Sequence, residues 1–327
     1  MNTSTTTTPA VTGIPAFAKA ARIHNYGAPE VITLEDVELT PPAAGEVLVQ
    51  VKAAGVGPWD GWIRAGKSAL PQPLPLTLGS DLSGIVAAVG PDVTAFAPGD
   101  HVYGVTNPRF IGAYAEYAIA SAGMIARKPA RLDDVEAASL PVIAVTAMQA
   151  LFDHAGLQTG QSVLIHGAAG NVGAHAVQLA HRAGLHVIAT ASGEDSTYVR
   201  SLGADEVINF RAERFEDKAG DLDAVIDLVG GETQQRSFAV LKKGGVLVSA
   251  VSQPDQERAK ARGVRALFFL VEVTTTRLEK ITAAIDANRL TPSVGTVLPL
   301  AAARSAHEML EGTRPHPRGK IVLQVGR

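Results

Sequence analysis

From Ala20 to about Ala120 the apolar residues come in short runs, many alternating with polar ones, between glycine and proline turns. This spacing predicts strands at Ala21–Asn25, Val31–Val37, Glu46–Ala54, Gly84–Val89, Asp100–Gly104 and Ala113–Ala120. Turn signals separate them at Pro41-Pro42, Gly45, Gly90-Pro91 and Pro98-Gly99-Asp100. Regularly spaced short strands imply a small barrel or sandwich. Pro71, Pro73 and Pro75 exclude a helix or a central strand, so Trp59–Leu76 reads as an extended surface loop.

Near Leu132 the pattern changes. Asp133–Ala150 has helical spacing interrupted at Pro141. Continuous apolar runs then alternate with amphipathic stretches. Strands are predicted at Ser162–His166, His186–Thr190, Glu206–Ile208, Ala224–Leu228, Val246–Ala250 and Ala266–Val271. Helices are predicted at about Val172–Ala183, Asp195–Leu202, Thr233–Leu241 and Arg277–Ala287. Runs such as Val163-Leu164-Ile165 suit strands covered on both faces. The alternation implies crossover units on a parallel sheet, and six strands complete a doubly wound one. After Asn288 come turns, one helix (Ala301–Leu310) and a last strand (Lys320–Val325). The simplest topology places 18–140 and 288–327 in one β-rich domain, with 141–287 inserted as a parallel-sheet domain. Residues 1–17 are Thr-rich, without Lys or Arg, and read as a frayed tail rather than a targeting segment.

Composition narrows the chemistry. A chain of 327 residues suggests about two domains. The 29 basic and 32 acidic residues give no basic excess for nucleic acid. No run of 18 apolar residues occurs, so no membrane span is expected and a cytoplasmic location is. The sequence contains no cysteine, which removes disulfides, iron–sulfur clusters, thiolate nucleophiles and cysteine-built zinc sites. No Gly-x-Ser-x-Gly elbow supports a hydrolase, and the nine histidines show no paired metal spacing.

The segment from Ser162 to Ala174 carries most of the functional information. A buried strand runs into a turn with the pattern Ala168-x-Gly170-x-x-Gly173, which opens a helix. Gly170 lets a diphosphate approach the backbone, and Gly173 lets the helix pack on the strand. The helix N-terminus, through Asn171 and Val172, offers free amides and a positive dipole end. Ala168 stands at the first glycine position, followed by Ala169, and implies a slightly wider or re-angled turn. Strand, turn, helix and alternation together point to a dinucleotide. Ser192 stands 19 residues beyond Gly173, where an NAD site usually has an acid. A small hydroxyl there leaves room for a 2′-phosphate and favours NADP, with NAD possible because Glu194 and Asp195 follow.

Taken together the chain resembles the medium-chain dehydrogenase/reductase superfamily, in its zinc-free, quinone-oxidoreductase-like branch. The resemblance runs from about Ala20 to Val325. It rests on Ala53-Ala54-Gly55-Val56, Ile63-Arg64-Ala65-Gly66, Leu78–Gly84, Pro98–Gly104, Gly112–Tyr117, the 168–173 turn, Leu202–Asp205 and Gly319–Leu323. It implies an α/β fold: a Rossmann doubly wound parallel sheet inserted in a GroES-like β-rich catalytic domain. Zinc-dependent members place Cys where this chain has Gly57, and Gly-His-Glu where it has Gly79-Ser80-Asp81, so no metal is expected. Zinc-free members usually have Asn at the Gly57 position, a Lys near 195 and a Tyr near 210; this chain has Gly57, Asp195 and Phe210.

The resemblance implies NADPH-dependent hydride transfer, without metal, to a small-molecule quinone or α,β-unsaturated carbonyl. Asp60 matches the family's acid at the cleft, or else anchors its own turn. Lys67 is a candidate oxyanion or phosphate contact, or else a solvated loop lysine. Trp59 and Trp62 are candidate walls for a flat substrate. Thr146 resembles the family's contact beneath the nicotinamide. Val251 and Phe269 end the last two sheet strands, where such ligands lie. Asp227 ends its strand just before Gly230-Gly231, and Lys320, with Arg314 and Arg318 nearby, is a candidate for the adenosine phosphate. A homodimer is expected through the apolar edge Ala266–Val271. Two alternatives stay open: a non-catalytic NAD(P)H-binding redox sensor, kept alive by Gly57, and a zinc-independent enoyl reductase.

Overall fold

A computed structural model of the chain describes residues 13–70 and 72–326. Twelve of the residues assigned to the frayed tail, 1–12, lie outside the described ones. The N-terminal part holds β1 (Phe17–Ile23), β2 (Thr33–Glu38), β3 (Glu46–Val56), α1 (Pro58–Arg64), β4 (Leu76–Thr77), β5 (Asp81–Val89), β6 (His101–Val105), β7 (Tyr117–Ser121) and β8 (Ile125–Arg127). Then come α2 (Asp134–Ala138) and α3 (Pro141–Met148), which continues as a π-helical stretch over Gln149–His154.

The parallel part follows as β9 (Ser162–Ile165), α4 (Asn171–Arg182), β10 (His186–Ala191), α5 (Ser196–Ser201), β11 (Glu206–Asn209), β12 (Leu222–Asp227), α6 (Gly231–Ser237), β13 (Leu241–Ser249), α7 (Gln256–Arg262), β14 (Arg265–Phe268) and α8 (Thr275–Asp286). β15 (Val294–Pro299), α9 (Ala303–Leu310) and β16 (Lys320–Gln324) end the chain.

Six strands form a parallel sheet in the order β11-β10-β9-β12-β13-β14, the order of a doubly wound dinucleotide fold. Its strands are buried on both faces. Val163 and Ile165 pack into one core while Leu164 between them packs into another, and Val187, Ile188 and Ala189 repeat the pattern. Each such fully buried aliphatic side chain stabilises by roughly 1.5–3 kcal/mol. The larger β sheet runs β15-β16-β3-β5-β6-β8, with β7 also on β3. Ile321 pairs with Val56, so the end of the chain returns to the strand that leads into α1.

Several elements differ from the sequence expectation. The Trp59–Leu76 loop begins with a helix: Pro58 occupies its first turn and the Asp60 carboxylate accepts from Gly57 N at its cap. The strand expected at Ala113–Ala120 is regular only from Tyr117. The helix expected to run to Leu241 ends at Ser237, and Leu241 opens β13. The strand expected to Val271 ends at Phe268. The helix α7 was not foreseen, although Asp255 caps it and Gly263 closes it at φ 65°. β15 falls where turns were expected.

Candidate active site

Residues 166–173 build the first wall of the site. Gly167 carries φ 71°, a left-handed conformation, at the turn for which Ala168 implied a wider or re-angled course. The sharp bend therefore falls one residue before the alanine, and Ala168 is fully buried with its N–H donated to Thr190 O at 3.2 Å. A Cβ on Gly173 would collide with Gly167 O and Ala168 Cα, whereas one on Gly170 would meet only Gly167 O at 3.3 Å. Gly173 is thus the packing glycine. The first intrahelical bond of α4 runs from Ala174 N to Gly170 O at 2.8 Å. The amides of Asn171, Val172 and Gly173 have no place in that ladder and lie at a cleft. A cradle without Cβ atoms, beside three amides at a helix N-terminus, fits a pyrophosphate.

The cleft has a volume of about 610 Å³. The phosphate turn, the ends of β12, β13 and β14, α3, α1 with the segment after it, and residues 108–110 enclose it. Among the residues singled out from sequence, Trp59, Trp62, Lys67, Thr146, Gly170, Asn171, Val172, Gly173, Val251, Phe269 and Lys320 line it. Ala168, Ala169, Ser192, Asp60 and Asp227 do not. Val142, Ile143, Phe110, Leu228 and the 68–70 stretch line it without having been foreseen. For Val142, Ile143, Phe110 and Leu228 the only sequence signal is apolar character, which core residues share. Thr146 turns its hydroxyl back to Val142 O at 2.7 Å, inside its own helix. Gln149 Oε1 accepts from Glu272 N at 3.0 Å and ties the π-helical stretch to the segment carrying Phe269 to Val271.

Trp59 organises the opposite wall. Its Nε1 donates to Ser80 Oγ at 2.9 Å, and its ring meets Phe110 edge-on at 6.4 Å. The indole fills the space beside Gly57, since a Cβ built there would run into its ring. Lys320 Nζ lies 4.5 Å from the Trp59 ring centroid and donates to Asp81 Oδ2 at 2.9 Å. The other Asp81 oxygen accepts from Val142 N at 3.1 Å, at the start of α3. Burial raises the Asp81 carboxyl, against the pull of Lys320. Lys320 is therefore buried beneath Trp59 and paired with Asp81, while Arg318 lies over the Tyr198 ring.

Asp60 is fully buried. Its Oδ2 accepts from Gly57 N at 2.8 Å and from Tyr114 OH at 2.9 Å, and its other oxygen has no protein partner. Burial pushes its carboxyl up to about 7. Asp227 is also fully buried and holds the turn after β12 through Val229 N, Gly230 N, Gln234 Nε2 and Ser249 Oγ. Ser192 donates to Asp195 Oδ2 at 2.7 Å. Buried histidines stay neutral: His166 bridges Thr190 and Ser237 at 3.0 Å each, and burial pushes it down to about 4. Among the described residues, no three His, Cys, Asp or Glu side chains converge as a metal-binding group.

Two family descriptions match the chain: an alcohol dehydrogenase GroES-like domain over residues 43–130 and a zinc-binding dehydrogenase over 202–323. Quinone oxidoreductase of Sus scrofa is 34% identical over 322 residues, covering 93% of this chain and 97% of that protein. A mitochondrial NAD(P)H oxidoreductase of Homo sapiens is 32% identical, covering 98% of this chain and 91% of that protein. The structure of a quinone oxidoreductase from Coxiella burnetii superposes with a TM-score of 0.87 at 35% identity, covering 95% of this chain and all of that one.

Proposed function

This chain belongs to the medium-chain dehydrogenase/reductase superfamily, in its quinone-oxidoreductase-like branch, and is an NAD(P)H-dependent oxidoreductase with no metal-binding side-chain group among the described residues; from that premise we propose that it reduces flat, electron-poor carbonyl compounds, quinones first. One observation carries the reading. The three free amides at the start of α4 open into the same cleft as Trp59, Trp62, Phe110 and Phe269.

When bound, the nicotinamide supplies the hydride. Asn171, Val172 and Gly173 hold the pyrophosphate through their amides. Thr146, Val251 and Phe269 shape the nicotinamide end, and Ala168 and Ala169 shape the turn. Asp227 acts only by fixing the loop after β12. Trp59 and Trp62 wall the acceptor and exclude water. A quinone that gains a hydride becomes a hydroquinone anion, which takes its proton from solvent, so no dedicated acid is needed. An enone gains hydride at its β carbon, charge develops on the carbonyl oxygen, and the α carbon of that enolate then takes a proton from solvent. Lys320, already paired with Asp81, brings an N–H donor to the cleft lining for that oxygen, and the exposed Lys67 brings a positive charge at the rim. Asp60, buried and bonded to Tyr114, fixes α1 and so Trp59; it is a positioning residue.

The decisive assay follows NADH and NADPH oxidation with and without 9,10-phenanthrenequinone, then with an enone and with a simple aldehyde. Quinone-stimulated turnover is expected to exceed the others. Binding of nucleotide with no acceptor-stimulated oxidation would favour a redox sensor; turnover with the enone alone would favour an enoyl reductase.

Assembly and location belong to the same proposal. β14 is an open edge of the parallel sheet, and a homodimer joined there would pair it. Sizing should give roughly twice the 34.0 kDa of one chain, and a monomer would refute it. No helix among the described residues is long and apolar enough to cross a membrane, and a cytoplasmic site of action is proposed.

A further inference from the structure

The lining of the cleft carries charge of one sign only. Among the described residues, Lys67, Arg109 and Lys320 line it and no Asp or Glu does, in a chain whose acids outnumber its bases by 32 to 29. Lys320 is paired with Asp81 at the floor, and Arg64, just before Lys67 in the chain, is paired with Glu311. Lys67 and Arg109 are exposed, and among the described residues neither has a carboxylate within ion-pair reach. The hydrogen bonds of Arg109 are made by its backbone: its N donates to Asn107 Oδ1 at 3.0 Å, and its O accepts from Gln72 Nε2 at 3.1 Å.

Both cations belong to the aromatic wall, across from the phosphate turn. Lys67 N donates to Trp62 O at 2.8 Å, after Gly66 has ended α1 at φ 70°. Arg109 directly precedes Phe110, whose ring meets Trp59. The buried Gln72 joins the two segments, since its side chain holds Arg109 O while its own carbonyl accepts from Tyr26 OH. The backbones that carry the two charges are thus fixed, and the charges themselves are unspent. The pyrophosphate already has three amides and a helix end. An uncharged quinone makes no use of two cations at the rim. An anionic substituent does: it is steered to the mouth and gains charge-assisted contacts beside apolar walls.

We propose, on the quinone-reductase reading above, that the preferred acceptors of this chain are quinones or enones carrying a fixed negative charge, a carboxylate or sulfonate remote from the reacting carbonyl. Lys67 and Arg109 bind that group at the mouth of the cleft, which leaves the ring against Trp59 and Trp62.

The test compares 1,4-naphthoquinone bearing a sulfonate on its benzo ring with the same quinone bearing a methyl group there. The preference is the ratio of their kcat/KM values, measured for wild type, Lys67→Met, Arg109→Met and the double variant. Differences in intrinsic reactivity between the two quinones cancel when this ratio is compared between proteins. The preference for the sulfonate is expected to fall by about fivefold or more in the double variant, mostly through KM, and by less in each single one. In wild type it should also shrink as ionic strength rises from about 0.02 to about 0.3 M. Both tryptophans of the chain line the cleft, so quenching of their fluorescence reports nucleotide binding, and retained binding shows that each variant is folded. A preference unchanged in the double variant would overturn the proposal. So would a loss of nucleotide affinity as large as the loss of preference, which would give the two cations to the nucleotide. Turnover of the methyl quinone without any such preference would remove this proposal alone; failure of wild type to reduce either quinone would remove the quinone-reductase reading with it.

Discussion

The indole of Trp59 occupies the space that any side chain at residue 57 would need. Gly57 and Trp59 are therefore one feature: the small residue makes room, and the large one turns that room into an aromatic wall bonded to Ser80.

Introducing the polar residue usual in related chains at this position should thus fail without a second change. Gly57→Asn is expected to destabilise the fold by about 1–3 kcal/mol through overpacking. Gly57→Asn/Trp59→Ala should recover part of that loss. Urea midpoints of the three proteins measure both effects, and additive losses would show that the two residues do not share the space.

The two glycines of the phosphate turn should respond unequally. Gly173→Ala drives a methyl into Gly167 O and the Ala168 backbone, while Gly170→Ala meets only Gly167 O at 3.3 Å. Nucleotide affinity is expected to fall by about a hundredfold or more in Gly173→Ala and by about tenfold or less in Gly170→Ala, where lost phosphate approach is the main effect. Titration by tryptophan quenching gives both numbers. The reverse order would misplace the helix packing contact.

Lys320 and Asp81 form a buried pair at the cleft floor. Lys320→Met leaves the Asp81 carboxylate without its partner and should cost about 3–5 kcal/mol. Lys320→Met/Asp81→Asn should regain most of that stability. In the double variant enone turnover is expected to drop more than quinone turnover, because charge on the enolate oxygen is less delocalised than in the hydroquinone anion and leans more on a donor at that oxygen. Equal drops for both acceptors would remove Lys320 from the chemistry.

Stability should carry opposing pH signatures from two buried groups. Asp60 has its folded pKa raised to about 7, so its contribution is complete below the usual carboxylate range and fades as pH rises toward 7. His175 is pushed down to about 4 by burial, so its contribution is complete above about 6.5 and fades as pH falls toward 4. The two windows overlap between about pH 4 and 6.5, where the opposing slopes offset each other, so denaturation midpoints should rise more steeply with pH across that range in Asp60→Asn and fall with rising pH up to about 7 in His175→Gln. Unchanged slopes in both variants would contradict these assignments.

The alternation of strands and helices was legible in the sequence because strands buried on both faces are continuous apolar runs, as in Val163-Leu164-Ile165. The phosphate turn was legible because its glycines answer local geometry. Helix α1 was harder to see. It spans only Pro58–Arg64, with Gly61 in its middle, and its start depends on the Asp60 cap at Gly57. The settings of Asp60 and Lys320 depend on partners far along the chain, Tyr114 and Asp81, so residue type alone does not reveal what each side chain is bonded to. The Asp195–Arg318 ion pair leaves no periodic trace at all.

A crystal structure with reduced nucleotide tests the central claim most directly. The pyrophosphate is expected on the amides of Asn171, Val172 and Gly173, with the nicotinamide end beside Thr146 and facing the Trp59 wall. Nucleotide bound elsewhere, with that helix end bare, would contradict the account.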